Sequence, residues 1–412
     1  MQKYSFSVWK ILLILFFSLS LVPPIATAGD TYGTWEETLK KAQGKTVDWY
    51  MWGGSPAVNS YVNGYLAEEL KKQYDIHLRQ VPVKDIAEVV SKLVVEKEAG
   101  KDGDGSVDLM WINGENFRTC KEHNLLYGPF ASRLPNQQYI DWQNPTVKND
   151  FGSPVEDMES PWGSAQVVMI HDSMRTPKPP RTVPALIDWI KANPGRFTYP
   201  APPDFTGSAF VRHIFYYASG SVEKWQGAYS EQELRDAADA TYAILRDINS
   251  SLWREGTTYP DSPVRMNSLF ADGEIDFSFS YHQGDASRNI LDGLFPETTR
   301  TYVFDGGTIG NTHFVAIPFN ASDKEAAMVV ANFLISPEAQ LEKAKPEVWG
   351  DFPAIHSAKL PPSWQEKFRN LPRGKATLSD EILQRHQLPE PPSKILVYLE
   401  RGWQDQVLKS RQ

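Results

Sequence analysis

Metal or proton chemistry would have to begin with the histidines of this 412-residue chain, and these are scattered: His77, His123, His171, His213, His282, His313, His356 and His386. Tens of residues separate each from the next, so an HExxH pair is absent and a metal site would need distant segments brought together. There is no GxSxG elbow. Ser208, within Thr206-Gly207-Ser208-Ala209-Phe210, precedes a helical run, but no spacing supplies the base and orienting group a nucleophile needs. No catalytic residue, resident metal or cofactor is therefore expected. A gentler role fits Thr206, Gly207 and Ser208: at a helix start, hydroxyls and N–H groups either hold a polar or anionic ligand group or cap the helix. Tyr216 and Tyr217 are adjacent phenols, open to ferric ligation or to packing. The alternating acids Asp102, Asp104 and Asp108 suggest a calcium loop, yet Val107 and Asn113 stand where glycine and glutamate are required, which leaves a solvated turn.

Aromatic residues are plentiful: 13 Trp, 17 Tyr and 20 Phe, enough for some rings to face a ligand rather than a core. Trp49, Trp52, Trp111 and Tyr281 offer faces for stacking or cation–π contact, with Glu115, Asp204 and Asp305 supplying negative charge, and Trp162 is a further ligand-binding candidate. Alternation puts Trp49 on the opposite face from Tyr50 and Trp52.

These side chains need elements to position them. Thr46–Trp52 is a β-prone run broken by Gly53 and Gly54, after which Ser55 and Pro56 read as an N-cap and a first helical position. Val58, Tyr61, Val62, Tyr65, Leu66 and Leu70 make the apolar stripe of that helix. Strands over 74–81 and 107–112 with a helix from Asp85 between them complete two crossovers, which imply a parallel sheet covered by helices. In such a sheet ligands meet the C-terminal strand ends, hence the loops Trp52-Gly53-Gly54-Ser55 and Asn113 to Glu115. A second α/β pattern starts near 165, with strands over 165–170, 196–199 and 274–281, helices over 209–218 and 231–253, and a flexible loop holding Gly307 and Thr308. Then come a strand over 312–318, a helix over 326–334 and a C-terminal helix near 394–408.

The net charge of −9, more negative without Lys3 and Lys10, argues against a nucleic-acid partner. Cys120 stands alone and cannot form an intramolecular disulfide. Lys3 and Lys10, the apolar run Ile11–Val22 and Ala26-Thr27-Ala28 have the order of a cleaved export signal, with no stable membrane anchor expected.

Together, the leader, the segment WYMWGGSPAVNSYVNGYLAEELKKQY, the strand THFVAIPFNAS and AAMVVANFLISPEAQ resemble type II bacterial solute-binding proteins of ABC importers, in particular the YnjB-like branch related to thiamine-binding proteins. The ending Phe333–Gln340 is the most specific piece. The resemblance implies an α/β, two-lobed periplasmic-binding-protein fold, each lobe a sheet flanked by helices, with a signal peptide at 1–28, lobe one at 29–165 and 314–412, and lobe two at 166–313. It further implies a non-enzymatic, monomeric periplasmic protein. This protein would close on a small solute, thiamine-like or another organic cation, and deliver it to a membrane permease. Ferric iron, an anion, or an exported polysaccharide-active enzyme are the alternatives.

Overall fold

The structure, a computed structural model, describes Met1 and residues 33–409. Met1 apart, the leader and its cleavage site fall outside the described residues. Among those described, no helix is long and apolar enough to cross a membrane.

Strands β1 (Thr46–Trp52), β2 (His77–Val83) and β3 (Leu109–Ile112) are parallel, with β1 in the middle. Period-two alternation sorts β1: Val47, Trp49 and Met51 enter one core together with helix Lys324–Leu334, whereas Tyr50 joins a smaller cluster with Val90, Leu93, Met110 and Phe117 on the other face. Helices thus cover both faces, as a parallel sheet requires.

The chain then passes through β4 (Glu159–Gln166) into β5 (Val168–Asp172), which forms an antiparallel sheet with β6 (Phe277–Ser280) and β7 (Thr299–Tyr302) on either side. It returns through β8 (Thr308–Ala316), antiparallel to both β3 and β4. The two lobes are therefore tied by adjacent strands, β4 breaking at Val167, whose N–H donates to the Ile309 carbonyl.

The second lobe differs from the sequence reading in two ways. The strand expected over 196–199 is absent: Phe197 and Tyr199 are buried among helices, and the Arg196 and Phe197 carbonyls accept from Asp276 and Trp253 instead of a ladder. The C-terminal helix Ser393–Trp403 does not return to the first lobe. Its Ile395, Leu399 and Trp403 fill the second core, where the Trp403 indole donates to Tyr199 Oη at 3.0 Å. Apolar burial outweighs chain order here, because this face fits the groove left by helices Phe205–Ser219 and Glu231–Asn249.

Candidate functional site

Helix Phe205–Ser219 starts earlier than its apolar run suggests. The Asp204 carboxylate accepts the Gly207 N–H at 2.8 Å, so Asp204 is the cap and Thr206, Gly207 and Ser208 form the first turn. Gly207 allows the helix to lie on Pro200: a Cβ there would stand 1.9 Å from the Pro200 carbonyl oxygen.

One turn on lies Arg212, fully buried. It donates to Ser208 Oγ and to Tyr281 Oη, both at 2.6 Å, and its Nε is 2.9 Å from Glu390 Oε2. Glu390 Oε1 accepts from Tyr281 Oη at 2.6 Å and from Asn311 Nδ2 at 3.1 Å. A buried guanidinium persists only when so supplied. Burial alone would weaken its hold on the proton, but Glu390 and Tyr281 raise its pKa above the ordinary arginine value. The Phe205 ring covers the cluster, 5.3 Å from the guanidinium and 4.8 Å from the Tyr281 ring, with Phe151 at 6.0 Å on its other side.

Arg212 pairs with Glu390 rather than with the neighbouring acids. Among the described residues no ion pair involves Glu115, Asp204 or Glu400. Burial raises the pKa of all three; Glu400 is pushed up to about 7, with Glu115 and Asp204 adding repulsion while Ser208 and Arg212 oppose the shift. Behind them Asp150 accepts the Gly114 N–H at 2.6 Å, and Glu159 is buried without a hydrogen-bond partner; burial lifts both well above the carboxylate range. A cavity of about 340 Å³ opens beside this group. Asp150, Phe151, Gln226 and Glu390 line it together with Gly310 to Thr312 of β8.

The structure thus gathers Glu115, Asp204, Ser208 and Tyr281 from the sequence candidates. Thr206 is half-buried in the same turn and Asn113 half-buried beside Gly114. The others are engaged elsewhere. The Gly53 N–H donates to the Val83 carbonyl and its own carbonyl accepts from Asn59, so its amide extends the sheet rather than facing a ligand. Ser55 caps its helix by accepting the Val58 N–H at 3.4 Å, and Gly54 lies against the Trp52 ring. Trp52 is 44% exposed. Since Tyr50 pairs with Met110, alternation places Trp111 on the face opposite Trp52; the two rings do not form one wall. Trp162 is fully buried, edge-on to Trp49 and Trp111, and belongs to the core. Gly307, at φ +97°, donates its N–H to the Phe304 carbonyl, and Thr308 pairs with Gln387 and donates to the His386 carbonyl. Tyr216 donates to the Pro389 carbonyl and burial raises its pKa, whereas its neighbour Tyr217 is exposed, an arrangement unlike a pair of ferric phenolates.

Arg212, Glu390 and Glu400 are absent from the sequence candidates. Arg212 left a trace, a lone charge in the apolar run Phe210–Tyr216, which has to be paired once buried. Nothing local marks Glu390 or Glu400, because both belong to the C-terminal segment whose lobe was misassigned.

Two lobes bridged by β-strands, with polar and aromatic groups converging between them, define a solute-binding architecture. Residues 65–370 match the family described as bacterial extracellular solute-binding protein, and the chain belongs to that family. It is 42% identical over 336 residues to the protein YnjB of Escherichia coli strain K12, an overlap of 82% of this chain and 86% of that one. Among solved structures it is similar to a putative spermidine/putrescine ABC transporter from Listeria monocytogenes, with a TM-score of 0.61 and 17% identity over 89% of this chain and 99% of that one. It is also similar to the apo ferric ion-binding protein A of Pasteurella haemolytica, with a TM-score of 0.60 and 13% identity over 87% and 97%. Proteins of this family are non-catalytic transport components that act outside the cytoplasm, capturing a small molecule between two lobes for an ABC importer.

Proposed function

We propose that the solute is a small organic cation carrying an aromatic or apolar part, thiamine-like compounds being the leading candidates. The observation that carries this reading is the set Glu115, Asp204 and Glu400, acids that form no ion pair among the described residues, together with the exposed Phe205 ring next to Asp204. A cation entering there relieves repulsion among the acids and stacks on the ring. Closure follows from contacts the ligand makes with both lobes at once: Glu115 from the first, Asp204, Ser208 and Glu400 from the second. Spermidine and putrescine, after which the similar Listeria transporter protein is named, belong to the same charge class.

The reading includes export with cleavage between Ala28 and Gly29, a monomer, and hand-over of the closed form to a membrane permease. Native mass spectrometry of protein purified from its own cells, followed by calorimetry with thiamine, its phosphates and putrescine, tests it. Expected is heat with at least one cation and loss of that heat in Glu115→Gln. Co-purification of an anion, with no heat from any of these cations, would overturn the charge assignment.

A further inference from the structure

We propose that His282, His313 and Asp351 form a site for a divalent transition-metal ion of the zinc, cobalt and nickel type. The three are far apart in sequence. His282 follows β6, His313 lies on β8, and Asp351 follows helix Pro337–Lys343. Their ligand atoms nevertheless lie within 4.8 Å of one another. His313 Nε2 is 3.3 Å and His282 Nδ1 is 3.7 Å from the same oxygen, Asp351 Oδ1.

The two distances to Asp351 Oδ1 fit a shared ion. Nitrogen and oxygen ligands at about 2.0–2.2 Å from a tetrahedral ion are about 3.3–3.6 Å from each other. Hydrogen bonding accounts for only half of the cluster: His313 Nε2 lies within hydrogen-bond distance of Asp351 Oδ1 at 3.3 Å, but His282 Nδ1 is buried without a hydrogen-bond partner, and 3.7 Å is too long for one. An ion between the nitrogen and the carboxylate would satisfy both. Two imidazoles and one carboxylate are a donor set that suits zinc-type ions and leaves a position open.

The surroundings hold the carboxylate in place. Lys343 Nζ is 2.8 Å from Asp351 Oδ2 and also donates to the Trp162 carbonyl, which leaves Oδ1 to the histidines. Trp349 stacks on the His313 ring at 6.3 Å and stands 6.0 Å from His282, forming an apolar wall of the kind that tunes metal sites. Only His282 retains real exposure, 31% of its side chain, and provides the way in.

This inference is independent of the organic-cation reading, and its test needs no organic ligand. Untagged protein stripped with a chelator is titrated with cobalt(II) alone. Expected are the intense visible bands of a four-coordinate ion, saturating at a single equivalent. His282→Gln, at the accessible rim, should lower cobalt affinity by more than the roughly 10- to 100-fold that loss of an orienting partner costs. His313→Gln should do the same, with circular dichroism confirming that each variant folds. Absence of the bands in the wild-type protein overturns the site, and this arm decides the matter even if a variant fails to fold. Bands that persist unchanged in folded His282→Gln overturn it equally.

Discussion

Arg212 and Glu390 form an ion pair, Nε to Oε2 2.9 Å, between side chains that are almost wholly out of solvent. The pair pins the C-terminal segment to helix Phe205–Ser219 and fixes Tyr281 between its members. Breaking such a pair leaves one uncompensated charge inside, at a cost of about 3–5 kcal/mol. Arg212→Met is expected to lower unfolding free energy by that amount in urea titrations. The double variant Arg212→Met/Glu390→Leu should recover much of the loss. A double variant as unstable as the sum of the two single ones would show that the charges are not coupled.

Glu400 gives the free protein a pH dependence near neutrality. Its folded pKa of about 7 lies above the ordinary 4.5, so its contribution to stability is full below pH 4.5 and is lost as pH rises through 7. The loss amounts to at most about 3 kcal/mol. Thermal melts from pH 5 to 8 should therefore show a slope that Glu400→Gln removes. Binding of an organic cation should run the other way, tightening as Glu400 ionises, and calorimetry in buffers of different ionisation enthalpy should detect a released proton below pH 7.

Gly207 and Gly54 should respond differently to alanine. A methyl group on Gly207 meets the Pro200 backbone, which cannot swing aside, whereas on Gly54 it meets the rim of the half-exposed Trp52 ring. Gly207→Ala is expected to cost several times more unfolding free energy than Gly54→Ala, and equal losses would contradict this packing. For Ser208→Ala the expected loss is about 1–3 kcal/mol, because one Arg212 N–H is left buried without its acceptor.

Cys120 is fully buried, and burial pushes its thiol up to about 12. Native protein should therefore resist a thiol-reactive dye that labels it promptly in denaturant. Cys120→Ser should leave solute affinity unchanged at constant fold.

Much of the first lobe was legible because its signals are local. Ser55 and Pro56 do start a helix, and the alternation in Thr46–Trp52 does separate Trp49 from Tyr50. Long-range choices were not legible. Period-two alternation near the end of β1 cannot reveal which neighbour's ring shares its face, so Trp52 and Trp111 looked adjacent. Segment 196–199 has the composition of a strand, but its carbonyls are taken by Asp276 and Trp253 instead of a ladder. Of the candidate site, the carboxylates and Tyr281 could be guessed from type and position, while Arg212 and Glu390 become meaningful only when the last segment is seen to pack on the middle one.

Phe368 is buried in the first core and Ala376 in the second, so the chain changes lobe a third time before it ends. The second core, begun at Ala165, waits for Leu399, Trp403 and Val407. During synthesis its apolar floor stays unfilled until the segment from Leu399 to Val407 has been made. A fragment that stops before this segment therefore leaves the second lobe unfinished, so the solute cleft cannot be complete until the C-terminal helix has joined.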